Sequence, residues 1–178
     1  MNQIGLFGRA AKVEGREDDR RFTPAAIVRA VESIISASFV LDVCAESTPG
    51  GHVCPRYLTA ADDALSVSWA APGEWAWCNP PFSRKDEFIA RVRAEYRGGR
   101  WVALLLPFTA DPSRMALFYD APGVVMADHR VRYTSPVGAN MDSPGPVVQA
   151  VYLFGSVRGL WLVDEGGRVR RPACSVSD

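Results

Sequence analysis

The sequence predicts a single α/β domain of three layers, in which helices cover both faces of a mostly parallel sheet. Apolar runs alternate with segments of helical periodicity over residues 24–107, which is the order that βαβ units produce. The apolar run "VALLLP" is typical of a strand that is buried on both faces. A chain of 178 residues with a hydrophobic fraction of 48% is long and apolar enough for one sizeable core.

The first half of the chain predicts an arm, a helix and a strand. Residues 1–20 are polar and mixed in charge, which predicts a flexible arm before a single domain over residues 21–178. Thr23-Pro24 fits an N-cap and a first-turn proline, and the spacing of apolar residues predicts a helix over 24–37. The run "SFVLDVCAES" (38–47) then predicts a short buried strand.

A second strand is predicted at "WAWC". It must end at Asn79, because the two prolines that follow cannot donate hydrogen bonds to a sheet. Ser83 and Asp86 fit a capping box, which predicts a helix over 84–97, followed by a strand over 100–107. Four further apolar or alternating runs predict a β-rich second half, at residues 123–128, 130–134, 146–155 and 159–163.

Polar residues follow three of these strands, at Asp42, Asn79 and Thr109. The carboxyl ends of parallel strands meet at one edge of a sheet, and ligands of open α/β sheets bind there. Asn79 and the carbonyl of Pro80 are acceptors that can hold both hydrogens of an exocyclic amine. The prolines make this corner rigid, and the ring of Phe82 can stack on a planar base taken out of a helix.

The sequence Asn79-Pro80-Pro81-Phe82 resembles the catalytic motif of amino-group DNA methyltransferases. With "FVLDVCA", "CPRYLT", "DAL", "WAWCNPPFS" and "VALLLP" in this order, residues 23–133 resemble the phage-type DNA N-6-adenine methyltransferase (Dam) family. The resemblance implies a Rossmann-like methyltransferase fold, S-adenosylmethionine as methyl donor and a flipped adenine of double-stranded DNA as acceptor. It also implies an adenine-specific enzyme of phage or prophage origin in the cytoplasm of a bacterial host.

The resemblance also implies roles for individual residues. The catalytic residues would be Asn79, Pro80, Pro81 and Phe82. The residues that bind the cofactor would be Thr23, Pro24, Asp42, Ala45, Asp62 and Asp63. One departure from the general methyltransferase pattern concerns the cofactor side, since no Gly-x-Gly follows Asp42 and the glycines come only at Gly50-Gly51.

The basic residues indicate where DNA would bind. Residues 84–178 carry thirteen basic and ten acidic side chains, although the whole chain has a net charge of zero. Five basic residues are expected to contact DNA phosphates: Arg84, Lys85, Arg114, Arg130 and Arg132. Arg130 and Arg132 alternate with apolar residues, so both are expected on one face of a strand. A solvated face is the alternative for each of them.

Two other functions fit the same residues. The corner at Asn79 suits methylation of another planar amine or amide, such as an RNA adenine or a glutamine side chain. The missing Gly-x-Gly and the small size also fit a non-catalytic, methyltransferase-like DNA-binding or decoy protein. A metal site is not expected, because Cys44, His52 and Cys54 lack a fourth ligand. A membrane span is not expected either, because no apolar run approaches about 20 residues.

Overall fold

The computed structural model describes residues 22–109, 112–133 and 148–172, so the predicted arm over residues 1–20 lies outside the described residues. Within these ranges, three α-helices and seven strands follow one another. In chain order they are α1 (Ala25–Ile35), β1 (Leu41–Asp42), β2 (Trp75–Cys78), α2 (Lys85–Arg97), β3 (Trp101–Pro107), α3 (Pro112–Asp120), β4 (Gly123–Ala127), β5 (Gln149–Phe154), β6 (Gly159–Val163) and β7 (Val169–Arg170). Among these residues, no helix is long and apolar enough to cross a membrane.

The seven strands form one sheet in the order β1-β2-β3-β5-β4-β6-β7. β1, β2 and β3 are parallel neighbours, and β4 runs parallel to β6. β5 is antiparallel to both β3 and β4, and β7 is antiparallel to β6. The α/β class is confirmed. The three parallel and three antiparallel pairings among the described strands do not give the expected parallel majority.

The sheet separates two clusters of buried side chains, because successive residues of a strand point to opposite faces. Trp75 and Trp77 of β2 pack with the apolar stripe of α1 on one face. Ala76 and Cys78 of β2 pack on the other face with α2 and with Leu117 of α3. The helices therefore form the outer layers that the sequence predicts, and β2 and β3 are buried between them.

Two helix ends differ from the sequence-based prediction. α1 begins at Ala25 with Pro24 as its N-cap residue, and no side chain caps it. α2 begins at Lys85 after a 3-10 turn over Phe82–Arg84, and its N-cap residue Arg84 makes no side-chain cap. The N-cap positions predicted at Thr23 and Ser83 are therefore wrong by one residue each, because Pro24 and Arg84 occupy them. The rigid φ of Pro24 and Pro81 starts each turn instead of a side-chain cap.

The predicted strand over residues 130–134 is also wrong in the part described, because Arg130–Tyr133 pairs with no strand. The alternation on which it rested is nevertheless present. Val131 and Tyr133 are buried in the cluster beneath α1, whereas Arg130 and Arg132 are exposed. The alternation therefore reflects burial of one side of this segment, which joins no strand of the sheet in the described part of the chain.

A buried ion-pair network holds the loop after Asp63 against α2. Glu95 is 3% exposed, and its carboxylate pairs with Arg91 and, at 3.4 Å, with Arg100. Arg91 also donates to the carbonyl of Val67 at 2.6 Å, and Arg100 donates to that of Ala70 at 3.0 Å. The two arginines compensate the buried charge of Glu95 and bind the loop, although Glu95 Oε2 and Arg91 Nε make no hydrogen bond among the described residues.

Candidate active site at the carboxyl ends of β1, β2 and β3

Asp42 and Asn79 lie at the same edge of the sheet, as the sequence predicts. Asp42 is the last residue of β1 and pairs in register with Trp77 of β2. Asn79 directly follows Cys78, the last residue of β2, which pairs with Leu104 of β3. Since these three strands are parallel, their carboxyl ends form one rim of the sheet.

The corner at Asn79 is rigid and keeps one polar side chain half-buried. Cys78 and Pro80 on either side of it are buried. The Asn79 Nδ2 donates a hydrogen bond to Thr23 Oγ1 at 3.3 Å. The carbonyl of Pro81 accepts from the amide of Arg84 at 3.0 Å and is therefore part of the 3-10 turn. The amide oxygen of Asn79 and the carbonyl of Pro80 are hydrogen-bond acceptors at this corner.

Phe82 presents an aromatic ring to solvent beside this corner. Its side chain is 54% exposed, so Phe82 does not belong to the core. The Nζ of Lys85 lies 4.7 Å from the ring centroid, within the range of a cation–π interaction. An exposed ring next to a polar, rigid corner provides a flat surface on which a planar base can stack.

Asp42 ties down the loop that follows β1. It is 4% exposed, and its Oδ1 accepts from the amide of Cys44 at 3.2 Å while its Oδ2 accepts from that of Val53 at 3.0 Å. Burial raises the pKa of Asp42 from 3.8 to about 6, and the two amide hydrogen bonds offset part of that shift. The carboxylate therefore joins the two ends of a loop over residues 44–53.

Gly50 and Gly51, the glycines that follow Asp42 at a distance, allow this loop to turn tightly. The amide of Glu46 donates to the carbonyl of Gly51 at 2.7 Å, and Gly50 has a φ of +78°. A Cβ on Gly51 would lie 2.8 Å from the Cβ and the carbonyl oxygen of Glu46, which is too close for any other residue. The glycines thus permit a tight turn that returns the chain to the side of β1, next to the buried Ala45.

Asp62 and Asp63 have different environments. The Oδ2 of Asp62 accepts from the amide and the hydroxyl of Thr59 at 2.7 and 2.8 Å, which lowers the pKa of Asp62. Asp63 is exposed and has a left-handed φ of +43°. Its backbone carbonyl accepts from the Ser66 hydroxyl at 2.9 Å, whereas its carboxylate accepts no hydrogen bond from a residue in the described ranges. Asp62 therefore stabilises a local turn, and Asp63 is the carboxylate better placed to accept from a ligand.

The basic residues that are expected to contact DNA differ in their exposure and in their ion pairs. Arg84 makes a two-pronged hydrogen bond with Glu87 at 3.1 and 2.9 Å. The pKa of Arg84 is raised mainly by this hydrogen bond and also by the nearby negative charge of Asp63. Arg132 is exposed and lies 3.7 Å from Glu165, whereas Arg130 is exposed and forms no ion pair with a described residue. Arg114 belongs to α3, but its side chain lies outside the described part of the structure.

Two contacts at this rim could not be read from sequence spacing. The thiols of Cys44 and Cys78 lie 4.0 Å apart across β1 and β2. Thr23 reaches Asn79 although the two residues are 56 positions apart. The sequence indicated only that the ends of β1 and β2 would meet at one edge of the sheet, and it did not indicate these two contacts. In the ranges that the structure describes, no group of three or more His, Cys, Asp or Glu residues could hold a metal ion.

Comparison with models of known protein families shows which family this chain belongs to. A model of the DNA N-6-adenine-methyltransferase (Dam) family matches residues 10–123. This range includes the corner at Asn79, the loop tied by Asp42 and the segment at Thr23, but it ends before Arg130 and Arg132. No curated protein and no solved structure matches the chain. The match covers more than half of the 178 residues, and the chain belongs to the DNA N-6-adenine-methyltransferase (Dam) family.

Proposed function

We propose that this protein transfers a methyl group from S-adenosylmethionine to the exocyclic amine of adenine in double-stranded DNA. The observation that carries this proposal is the rigid corner at Asn79, where a half-buried amide held by Thr23 stands beside the exposed ring of Phe82. Membership of the Dam family supports the same class of reaction.

The residues at the rim fit the methyl donor. S-adenosylmethionine, when bound, supplies an electrophilic methyl group on a sulfonium. Asp42 holds both ends of the loop over residues 44–53, which contains Ala45 and lies directly beyond β1. Asp63 offers a carboxylate that can accept from an amine of the donor. We assign the donor to these residues and to the neighbouring segment Thr23-Pro24, and we assign Asp62 a supporting role in the turn before Asp63.

Asn79 and Pro80 provide the acceptors for the target amine. The amide oxygen of Asn79 and the carbonyl of Pro80 accept its two hydrogens, which fixes the position of the amine nitrogen. Hydrogen bonds in this arrangement also draw the nitrogen lone pair away from the aromatic ring. A rigid pair of acceptors loses little entropy when the amine binds, because the prolines already fix the backbone.

Phe82 and the basic residues bind the rest of the DNA. Extruding a base from a duplex costs a few kcal/mol, which stacking on an aromatic side chain partly offsets. The ring of Phe82 is exposed for this contact, and Lys85 places a positive charge beside it. Arg130 and Arg132 extend from the segment after β4, at the same edge of the sheet, and are exposed for contact with phosphates.

Binding and transfer measurements test the proposal. We expect calorimetry to detect binding of S-adenosylmethionine, and tritium from its methyl group to appear in double-stranded DNA. Label in RNA or in added protein, with none in DNA, would favour the alternative methyl acceptors. Absence of cofactor binding by the folded protein would favour the decoy function and contradict the proposal.

Replacing Phe82 with Ala should lower kcat/KM for DNA by about tenfold to a hundredfold, because stacking on one base contributes about 1–3 kcal/mol. The affinity for S-adenosylmethionine should not change, and Phe82→Trp should retain most activity. Tyr119→Ala is the matched control, since that ring is 77% exposed on α3 and has no role in the site. Equal activity of the two Ala variants would show that Phe82 does not stack on the base.

A further inference from the structure

We infer that three arginines at the far end of the sheet, Arg130, Arg168 and Arg171, form a second contact with duplex DNA and bind phosphates several base pairs from the methylated base. We call these three residues the arginine surface. The inference rests on the proposed function and extends the DNA contact beyond the corner at Asn79. All three residues lie after residue 123, where the match to the Dam family ends.

The arginine surface lies at the same edge of the sheet as Asn79. β4 is parallel to β3, because both are antiparallel to β5, and β6 is parallel to β4. The carboxyl ends of β4 and β6 therefore continue the rim formed by β1, β2 and β3. Arg130 follows the end of β4, and Arg168 lies in the turn between β6 and β7. Arg171 directly follows β7, which is the last strand of the sheet.

The arginine surface carries positive charge that no acidic side chain of the described residues neutralises. All three arginines are exposed, and none forms an ion pair with a described Asp or Glu. The acids nearby have other partners: Asp128 pairs with Arg170, Glu165 lies 3.7 Å from Arg132, and Asp164 accepts from the backbone amide of Arg168 at 2.9 Å. Residues 128–132 and 164–171 together carry five arginines and three acids, which leaves a net charge of +2.

Contacts within the protein hold the arginine surface in place before any ligand binds. The ion pairs of Asp128 and Glu165 each join the segment after β4 to the hairpin of β6 and β7. The guanidinium of Arg171 lies 5.2 Å from the ring centroid of the buried Trp161. An arginine that is stacked on a fixed ring has fewer conformations to lose, so it binds a phosphate at a lower entropic cost.

The first turn of α1 lies between the arginine surface and the corner. On one side, Thr23 accepts a hydrogen bond from Asn79 at 3.3 Å. On the other side, Gly167 packs so closely on α1 that a Cβ there would lie 3.0 Å from the carbonyl oxygen of Ala26. In the sheet, β2 and β6 are four strand spacings apart, which corresponds to about 19 Å. Because phosphates follow one another about every 3.4 Å along a DNA strand, this distance corresponds to about six base pairs.

A duplex that lies along this rim can contact the corner and the arginine surface at the same time. A guanidinium binds a phosphate through two parallel hydrogen bonds, which suits the exposed arginines. The second contact keeps the duplex bound and oriented while a base is extruded at Asn79. Phosphate contacts carry no sequence information, so the arginine surface contributes affinity and orientation but does not select the target sequence.

Binding of a fluorescent DNA duplex of about 20 base pairs, which is long enough to reach both sites, tests the inference by anisotropy at several salt concentrations. We expect Arg168→Ala/Arg171→Ala to weaken binding about tenfold at low salt. The slope of log affinity against log salt concentration should fall by about 1.8, since each lost phosphate contact removes about 0.9. Arg168→Lys/Arg171→Lys keeps both charges and should retain most of the affinity, which separates the loss of charge from a loss of folding.

Arg97→Ala/Arg158→Ala is the matched control. Both residues are exposed, and they lie at the opposite edge of the sheet, at the end of α2 and directly before β6. The control also removes two positive charges, but we expect it to bind the duplex as the wild type does. Equal affinities of the two Ala variants would overturn the inference. Tighter binding of duplex RNA than of duplex DNA by the wild type would overturn the choice of partner.

The binding measurement needs neither S-adenosylmethionine nor methyl transfer, so it separates this inference from the proposed function. A wild type that binds duplex DNA through the arginine surface but transfers no methyl group would support the inference and contradict the proposed function. With an active wild type, Arg168→Ala/Arg171→Ala should raise KM for DNA and leave kcat unchanged, because contacts far from the reacting atoms are the same before and during transfer. A lower kcat with an unchanged affinity for DNA would overturn the inference.

Discussion

Replacing Asn79 with Ala should lower the rate of methyl transfer by about a hundredfold to a thousandfold, the range that loss of one preorganised polar group costs in comparable sites. The substitution removes one of two acceptors for the target amine and leaves the Pro80 carbonyl to hold it alone. The Asn79 side chain is only half-buried, and its contact with Thr23 is a single hydrogen bond at 3.3 Å. We therefore expect the fold to tolerate its loss. The rate is measured in single turnover at saturating cofactor and DNA.

Two comparisons make the Asn79 result specific. The affinity of Asn79→Ala for S-adenosylmethionine should be close to that of the wild type, since we assign the donor mainly to the loop tied by Asp42 and to Asp63. Asn79→Asp keeps an oxygen acceptor and should retain more activity than Asn79→Ala. A rate for Asn79→Ala within a few-fold of wild type would remove Asn79 from the mechanism.

Asp42 should make the free energy of unfolding fall as the pH rises from 4 to 7. Burial raises the pKa of Asp42 from 3.8 to about 6, so between these values the folded chain keeps a proton that the unfolded chain has lost. A state that binds more protons is favoured at low pH, and its advantage disappears once the pH exceeds the higher pKa. The two pKa values correspond to about 3 kcal/mol at most.

Asp42→Asn isolates this contribution. The variant cannot ionise, so the stability of the wild type minus that of the variant should decrease between pH 4 and pH 7 in urea titrations. Asp62→Asn is a control with the opposite sign, because hydrogen bonds from Thr59 lower the pKa of the exposed Asp62. Its contribution to stability should be present at neutral pH and be lost as the pH falls through the folded pKa. An Asp42 difference that grows with pH would contradict the buried environment of this carboxylate.

Local patterns predicted the centre of the sheet well. The strand expected at "WAWC" is β2 (Trp75–Cys78), and the strand expected over residues 100–107 is β3 (Trp101–Pro107). Both are continuous apolar runs with proline or glycine close to each end, so the residues that define each strand lie near one another in the sequence. The same reasoning placed Asp42 and Asn79 at one edge, because parallel strands share the direction of their ends.

Local sequence patterns could not predict features that depend on residues far apart in the chain. The position of β5 between β3 and β4, antiparallel to both, depends on pairing that strand composition does not encode. Thr23 resembled a helix cap because caps are a local pattern, whereas its actual partner is 56 positions away. The run expected as the first strand, 38–47, contributes only Leu41–Asp42 to the sheet, since Asp42 turns the chain into the loop that it holds.

The central claim is that the corner at Asn79 holds the exocyclic amine of a DNA adenine for methylation. Cytosine also carries an exocyclic amine, so the methylated nucleoside itself is the decisive quantity. DNA incubated with the protein and S-adenosylmethionine is digested to nucleosides and analysed by mass spectrometry. We expect N6-methyladenine with the wild type and almost none with Asn79→Ala. Methylation of cytosine alone, or equal amounts of N6-methyladenine from the two proteins, would contradict the claim.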